Sequence, residues 1–172
     1  LCPVVLDYIP ERFRFSRIFV SLFKIIISFS SSLRQRYQGI RGICILFSNT
    51  YYYGRFFKRE LSMTKSFYRI EDIEKANIQS DVYMTGSDQV WNSTHNQGID
   101  RILFLDFLPN AAKRVSYAAS FGKIELEEWE KDITKKLLSR YSAISVRESS
   151  ALQLLESINI HNAVNVLDPT LL

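Results

Sequence analysis

The stretch Tyr83-Met-Thr-Gly-Ser-Asp-Gln-Val-Trp-Asn92 changes character abruptly at its centre. The apolar run at residues 82–84 predicts a buried strand that stops at Gly86, where glycine lets the backbone turn sharply or approach a ligand closely. A hydroxyl, a carboxylate and an amide follow, on Ser87, Asp88 and Gln89. Ligands of open α/β sheets bind in the crevice beyond the carboxyl ends of the strands. The stretch therefore predicts a site for a polyhydroxylated molecule such as a sugar, and a polar turn ahead of a buried tryptophan is the alternative interpretation.

The sequence beyond this stretch alternates strand patterns with helical patterns. It predicts a polar loop at residues 92–100, an extended apolar segment at 102–107, and strands at 114–119, 143–146 and 163–167. A helix over residues 125–141 is predicted to face inward through Leu126, Trp129, Ile133, Leu137 and Tyr141, which recur at spacings of three and four. A second helix over 149–158 faces inward through Leu152, Leu155 and Ile158. Such alternation predicts parallel strands joined by helical crossovers.

Polar phrases follow each of these predicted strands and are expected to share one edge of the sheet. The phrases are Gly86–Gln89, Ser120–Gly122, Arg147 with Glu148, and Asp168. Convergence of several strand ends argues for a site more strongly than any single residue does. Asp88 is the best candidate for binding or deprotonating a sugar hydroxyl. Arg147 has two interpretations, an anion ligand or an internal ion pair with Glu148 or Asp168.

The first part of the chain has a different character. Residues 4–7 predict a strand, residues 70–76 predict a short helix with Ile70 and Ile73 facing inward, and residues 33–66 predict short helices and loops. Residues 16–32 are mostly apolar, with a narrow polar stripe of Arg17, Ser21, Lys24 and Ser28. This run is shorter than the roughly 20 apolar residues of a membrane-spanning helix. A helix buried on most sides, a helix in a membrane interface and a helix packed on a partner all remain open.

Composition bounds the class of protein. The chain has 172 residues, 47% of them hydrophobic and 23% charged, which is typical of one globular domain. Cys2 and Cys44 predict neither a disulfide framework nor a metal site, so a reducing cytoplasm is expected. His95 and His161 are predicted at the surface or at helix caps. No phosphate-binding loop of the Walker or dinucleotide type and no Ser-His-Asp arrangement is present, so neither a cofactor nor a metal is expected.

The net charge of +4 conceals two opposite halves. Residues 1–69 carry a balance of +9, and residues 70–172 carry −5. A basic, apolar and aromatic first half indicates affinity for nucleic acid or for a membrane surface. No nucleic-acid module is recognisable, so no nucleic acid is expected as a partner. Peripheral membrane contact through Arg17–Phe29, or an ordinary solvated face, is favoured instead.

Four phrases in this chain resemble the polysaccharide pyruvyl transferase family. They are Gly86-Ser-Asp-Gln-Val-Trp-Asn92, Val115-Ser-Tyr-Ala-Ala-Ser-Phe-Gly-Lys123, Ile144-Ser-Val-Arg-Glu148 and Val166-Leu-Asp-Pro-Thr-Leu-Leu172, in the order found in that family. The resemblance implies transfer of pyruvate from phosphoenolpyruvate to a pair of sugar hydroxyls as a ketal, in bacterial exopolysaccharide or cell-wall polysaccharide synthesis. With the strand ends, it gives the candidate substrate-binding set Gly86, Ser87, Asp88, Gln89, Trp91, Asn92, Ser120, Gly122, Arg147 and Asp168.

The resemblance also implies an architecture. The fold class is α/β, a Rossmann-like parallel sheet with flanking helices that resembles one half of a two-domain glycosyltransferase-B-type fold. The expectation is a single incomplete domain over residues 1–172, with a basic, apolar, helical insert before residue 81 and a regular strand–helix repeat over residues 81–172. The second domain, which in the family supplies most of the phosphoenolpyruvate site, is expected to be missing.

These expectations define partners and an alternative function. The acceptor is a sugar or a lipid-linked oligosaccharide, in the cytoplasm or at the inner face of the membrane. The chain on its own is expected to be inactive in transfer, because one wall of a cleft cannot hold donor and acceptor in one geometry. A non-catalytic sugar-binding or interaction domain, or a decayed gene fragment, is the alternative.

Overall fold

The computed structural model of the protein describes residues 4–9, 55–56 and 59–171. The chain divides into two compact units, residues 1–72 and residues 73–172. The predicted helix over residues 16–32, the membrane contact assigned to it and both cysteines lie outside the described residues.

The described part of the first unit is built around a short parallel strand pair. Strand β1 (Val4–Val5) pairs with β2 (Ser62–Met63), with Val4 opposite Ser62. The strand predicted at residues 4–7 is confirmed over its first two residues. Strand β2 was not predicted, because its two exposed residues carry no apolar alternation. Hydrogen bonds just beyond the pair support it, including one of 3.1 Å from the backbone amide of Asp7 to Oγ1 of Thr64.

Helix α1 (Ile70–Ala76) has the bounds that the sequence predicts. Ile73 is buried and Ile70 is half-buried, so the predicted inward face is confirmed. Glu71 and Asp72 occupy the first turn, where negative charge favours the positive end of the helix dipole.

The second unit holds four parallel strands in chain order. They are β3 (Tyr83–Thr85), β4 (Arg114–Ser116), β5 (Ile144–Val146) and β6 (Ala163–Asn165). Ladders join β3 to β4 and β5 to β6, and single parallel bridges from Val115 to Ala143 and from Ala119 to Val146 link β4 with β5. The α/β class is therefore confirmed. The partner described for β1 is β2, so membership of residues 4–7 in the same sheet stays a prediction.

Three helices accompany these strands. Helix α2 (Ser93–Asn96) follows β3, α3 (Glu128–Leu138) follows β4 and α4 (Ser149–Ser157) follows β5. A 3₁₀ helix (Pro169–Leu171) follows β6. Helix α4 faces inward through Leu155, as predicted, with Leu152 partly buried. The predicted polar loop over residues 92–100 is wrong in part, because it contains α2.

The predicted inward face of the helix after β4 is wrong in part, because Leu126, Leu137 and Tyr141 are buried but two other residues are not. Helix α3 is shorter than predicted, and Leu126 is buried before the helix begins. Trp129 is 61% exposed and Ile133 is 37% exposed. Beside the predicted Leu137, the inward side of α3 carries Glu130, Thr134 and Leu138. A buried carboxylate with its own hydrogen-bond partners decides which side of the helix faces inward, and apolar periodicity does not register such a residue.

The prediction of an extended segment at residues 102–107 is also wrong. Consecutive turns occupy this segment, with hydrogen bonds from the amide of Leu105 to the carbonyl of Ile102 and from the amide of Asp106 to that of Arg101. The reason is the fully buried guanidinium of Arg114, which donates to four carbonyls. They belong to Leu105 (3.1 Å), Leu108 (2.6 Å), Pro109 (2.9 Å) and Ala112 (3.1 Å). A strand would point alternate carbonyls away from this one cation.

Candidate functional site

The turns that follow β3, β4 and β5 lie side by side. Asp88 pairs with Ala119, and Ala119 pairs with Val146, so three chain segments remain in register beyond the strands themselves. The amide of Ser120 donates to the carbonyl of Asp88 at 3.0 Å, and the amide of Arg147 donates to the carbonyl of Ala119 at 3.2 Å. The common carboxyl edge expected for these turns is thus present in the second unit.

The side chain of Arg147 reaches three carboxylates at this edge. Its guanidinium nitrogens lie 3.0 Å from Oδ2 of Asp168, 3.3 Å from Oδ1 of Asp88 and 3.5 Å from Oε2 of Glu148. Of the two interpretations of Arg147, the structure shows the internal ion pair. Three carboxylates around one guanidinium leave the cluster with a formal charge of −2, which makes it a poor ligand for an anion.

Asp88 is the exposed member of this cluster. Its side chain is 82% exposed, against 16% for Asp168 and 29% for Glu148. Its backbone has a left-handed φ of 74°, which an aspartate tolerates better than most residues. Its carbonyl accepts hydrogen bonds from the amides of Val90 and Ser120. A fixed backbone therefore presents a carboxylate to solvent at the end of β3.

Gly86 is required by the turn that carries Asp88. Its φ is +107°, and a Cβ added there would lie 2.1 Å from the carbonyl oxygen of Tyr117. The chain after β3 therefore lies against the residue that follows β4 at a distance that only glycine permits. Ser87 is half-buried in the same turn.

Gln89 and Asn92, which follow Asp88 in the chain, form a hydrogen-bonded pair. Nδ2 of Asn92 donates to Oε1 of Gln89 at 2.8 Å, and Oδ1 of Asn92 accepts from the amide of His95 at 3.0 Å, which caps α2. Both oxygens are thereby occupied. The exposed Gln89, which follows Asp88 in the chain, keeps its amide nitrogen as a donor.

Ser120 and Gly122 support these turns. The buried Ser120 hydroxyl donates to Oε1 of Glu148 at 2.5 Å and accepts from the amide of Gly122 at 2.9 Å. Gly122 has a φ of +63°, and a Cβ there would lie 2.5 Å from Nδ2 of Asn92 and 2.6 Å from Oε1 of Gln89. The turn after β4 therefore packs directly against the Gln89–Asn92 pair. Ser120 and Gly122 thus shape this turn.

Trp91 lies in the core beneath the site. It is 2% exposed, and its ring centroid lies 5.6 Å from that of Phe104, 5.2 Å from that of Phe121 and 6.0 Å from that of Tyr141. For this residue the structure matches the interpretation of a buried tryptophan after a polar turn. Its ring anchors the turn and does not reach the exposed edge.

Asp168 is held as an anion. Its Oδ1 accepts hydrogen bonds from the amide of Thr170 at 3.0 Å and the hydroxyl of Thr170 at 2.7 Å. These bonds, together with the one from Arg147, lower the pKa of the Asp168 carboxyl. The same contact with Asp168 raises the pKa of Arg147. The two charges therefore persist at neutral pH and hold the turn after β5 to the one after β6.

The sequence interpretation missed a second charged cluster beside the site. Nζ of Lys123 donates to Oγ of Ser93 at 2.6 Å and to Oε1 and Oε2 of Glu130 at 2.8 and 2.7 Å. Burial alone would raise the pKa of the Glu130 carboxyl, but hydrogen bonds from Lys123, Ser93 and the backbone of Glu127 together lower it. The available signals were the position of Lys123 at the end of a family-like phrase and a glutamate three residues after Glu127.

The described residues offer neither a metal site nor a membrane-spanning helix. Residues 4–9, 55–56 and 59–171 contain no group of three His, Cys, Asp or Glu side chains arranged to hold a metal ion. His95 and His161 are exposed. No helix among the described residues combines the length and apolar character needed to cross a membrane.

Comparison with known proteins gives one match. The family model described as polysaccharide pyruvyl transferase matches residues 3–172, which include all four phrases quoted above. No curated protein and no solved structure matches the chain.

Proposed function

The chain belongs to the polysaccharide pyruvyl transferase family, and on that premise we propose that the carboxyl edge of β3–β5 binds the sugar acceptor of a pyruvyl transfer. The observation that carries this proposal is the carboxylate of Asp88, 82% exposed at the end of β3 and held by Arg147. The turns around it are fixed by hydrogen bonds and by two glycines. A carboxylate held in place in this way is suited to accept a hydrogen bond from a sugar hydroxyl.

The proposed donor is phosphoenolpyruvate and the proposed product is a pyruvate ketal. Two sugar hydroxyl oxygens form bonds to C2 of the donor, and the bond from C2 to the phosphate oxygen breaks. One hydroxyl proton goes to the methylene carbon, which becomes a methyl group, and the other leaves with inorganic phosphate. The reaction needs a group that binds or deprotonates a hydroxyl, and Asp88 is the group proposed for this role.

We propose that Asp88 and Gln89 bind two neighbouring sugar oxygens. The Asp88 carboxylate accepts a hydrogen bond from one hydroxyl, and the Gln89 amide nitrogen donates to the oxygen of the next. Asn92 keeps the Gln89 amide in this orientation by occupying its oxygen at 2.8 Å. The pair therefore favours an acceptor with two adjacent hydroxyls over one with a single hydroxyl.

Donor binding requires cations that lie away from this cluster. The cluster of Asp88, Glu148, Asp168 and Arg147 has a formal charge of −2, and phosphoenolpyruvate is itself a polyanion. Like charges at close range repel. The edge described above is accordingly assigned to the acceptor, and a separate basic group to the donor.

The proposal also covers the domain architecture and the cellular process. The strands β3–β6 form part of a Rossmann-like domain of the kind found in one half of a glycosyltransferase-B-type enzyme. The reaction belongs to polysaccharide synthesis in the bacterial cytoplasm, with a lipid-linked acceptor at the inner membrane face. The alternative, a sugar-binding domain without transfer activity, needs only the acceptor edge.

Acceptor binding and transfer are measured together to test the proposal. Galactose-, glucose- and mannosamine-type acceptors are titrated calorimetrically, and release of phosphate and formation of ketal from phosphoenolpyruvate are followed in parallel. Asp88→Asn keeps the backbone preference and removes the carboxylate. We expect it to weaken acceptor binding and, where transfer occurs, to reduce transfer by about 100-fold, the range of one acid–base group. Asp132→Asn, on the exposed side of α3, is the matched control.

The outcomes separate the candidates. Acceptor binding that depends on Asp88, with transfer, supports the proposed function. Binding that depends on Asp88 without transfer supports the sugar-binding alternative. Acceptor binding and transfer that both survive in Asp88→Asn would place the site elsewhere.

A further inference from the structure

Lys123 connects three elements around the proposed site. It follows the turn after β4, its Nζ donates to Ser93 at the start of α2, and it pairs with Glu130 in the first turn of α3. Glu130 also accepts a hydrogen bond of 2.9 Å from the backbone amide of Glu127. The side chain of Glu130 is 1% exposed and that of Lys123 is 17% exposed. An ion pair removed from water to this degree keeps its geometry only while both partners are present.

The contacts of Lys123 close a ring that includes the exposed site residues. Ser93 follows Asn92 directly, and Asn92 holds the amide oxygen of Gln89 at 2.8 Å. Gln89 and Asn92 in turn lie against Gly122, which precedes Lys123 in sequence. Two links therefore join the turn after β3 to the turn after β4. One is the contact of Gln89 and Asn92 with Gly122, and the other is the hydrogen bond from Lys123 to Ser93. Neither Lys123 nor Glu130 reaches the exposed Asp88 edge in any hydrogen bond of the described residues.

We propose that Lys123 and Glu130 are positioning residues that fix the orientation of Gln89, and with it the acceptor site, through Ser93 and Asn92. The kinetic part of this inference rests on the proposed function, whereas its structural part does not. Removal of the Lys123 ammonium would free α2 from the turn after β4. Asn92 would then no longer be held against Gly122, and the Gln89 amide would lose its fixed orientation.

Hydrogen exchange of the full chain, read amide by amide by NMR, tests the structural part. The reporters are the amides of Trp91, Asn92 and Gly122, which donate to Ser120, Gln89 and Ser120 respectively. Lys123→Met should raise exchange at all three by about tenfold or more, as expected for a local opening. Lys131→Met is the matched control, because Lys131 pairs with Glu128 on the exposed side of the same helix. It should leave the three rates within about twofold.

Two further variants separate positioning from general loss of stability. Leu137→Ala truncates a buried core residue of α3 that has no part in the hydrogen bonds of Lys123, and should raise exchange across the unit. Ser93→Ala removes the links from α2 to Lys123 and Glu130 and leaves their ion pair in place. It replaces Lys123→Met in the test if that variant fails to fold. The acceptor KM, or Kd where no transfer occurs, should rise about tenfold in Lys123→Met and Ser93→Ala, and it should stay unchanged in the folded fraction of Leu137→Ala.

Each result decides the inference. A rise in exchange confined to the two turns, with weaker acceptor binding, supports it in full. The same local rise in a protein that binds no acceptor at all supports the positioning role and refutes the proposed function. Exchange that rises uniformly in Lys123→Met, as in Leu137→Ala, or that does not rise in Ser93→Ala, overturns it.

Discussion

Arg147 donates a hydrogen bond of 3.3 Å to Asp88, although the two residues lie 59 positions apart in the chain. The contact joins the turn after β5 to the turn after β3, across the turn after β4 that lies between them. The same guanidinium holds Asp168 at 3.0 Å, behind the exposed edge. Arg147 therefore pairs most closely with the inner carboxylate of Asp168, while the Asp88 side chain, which it also contacts, faces solvent. This division of roles is the basis of the proposed acceptor site.

Replacement of Gly86 should be among the most destabilising changes in the second unit. In Gly86→Ala, the new Cβ would lie 2.1 Å from a backbone oxygen of Tyr117, on a residue with φ +107°. Gly98→Ala is a matched control, because Gly98 has φ +130° but nothing within 4 Å of the added atom. We expect a loss of about 1 kcal/mol for Gly98→Ala and more than about 2 kcal/mol for Gly86→Ala. Urea unfolding followed by fluorescence of the buried Trp91 measures both, and equal losses would mean that β3 and β4 are not this close.

The buried Arg114 should be essential to the segment between β3 and β4. Arg114→Met leaves the carbonyls of Leu105, Leu108, Pro109 and Ala112 without their common donor. We expect a loss of at least about 3 kcal/mol in the free energy of unfolding. Arg101→Met is the control, because its side chain is 64% exposed and Asp106 keeps a second partner in Arg140. That change should cost less than about 1 kcal/mol, and a similar cost for both arginines would argue against the buried position of Arg114.

The acid stability of the second unit should depend on Glu130. Its pKa in the folded protein lies below the ordinary value of 4.5. A lowered carboxyl pKa contributes stability that is complete above the unfolded pKa and is lost as the pH falls through the folded one. The stability difference between the wild type and Glu130→Gln should therefore be constant near neutral pH and shrink below pH 4.5. Glu128→Gln, at the exposed start of α3, should show no such change. A difference that grows on acidification would contradict the sign of the shift.

The sequence predicted much of the second unit correctly, for identifiable reasons. Helix α1, helix α4 and the strands at β4, β5 and β6 follow from apolar periodicity and from short turns between elements. The errors occur where a buried charge decides the structure. Arg114 binds carbonyls of residues 105–112, next to turns where a strand was predicted, and the buried Glu130 lies on the inward side of α3 while Trp129 and Ile133 are exposed. The burial of each charge depends on its hydrogen-bond partners, and a pattern of apolar residues does not reveal these partners.

The candidate site shows the same contrast. Strand-end turns and a family-like phrase were enough to bring Asp88, Ser120 and Arg147 together. They did not distinguish exposed groups from supporting ones, so Trp91, which lies in the core, and Asn92, which caps α2, entered the same set as Asp88. Lys123 and Glu130 were missed because a charged pair on a short loop and a helix is ordinarily solvated. Its burial emerges only once α2, α3 and the turn after β4 are packed.

The most direct test of the account is to map acceptor binding on the amide signals of the isotopically labelled full chain. On titration with a diol-containing sugar, the signals of Asp88, Gln89, Gly122 and Arg147 should shift together, while those of Ile133 and Lys136 on the exposed side of α3 stay in place. In Asp88→Asn the shifts at the same sugar concentration should vanish. Shifts centred away from these turns, or unchanged in Asp88→Asn, would contradict the claim that the acceptor binds at the carboxyl edge of this sheet.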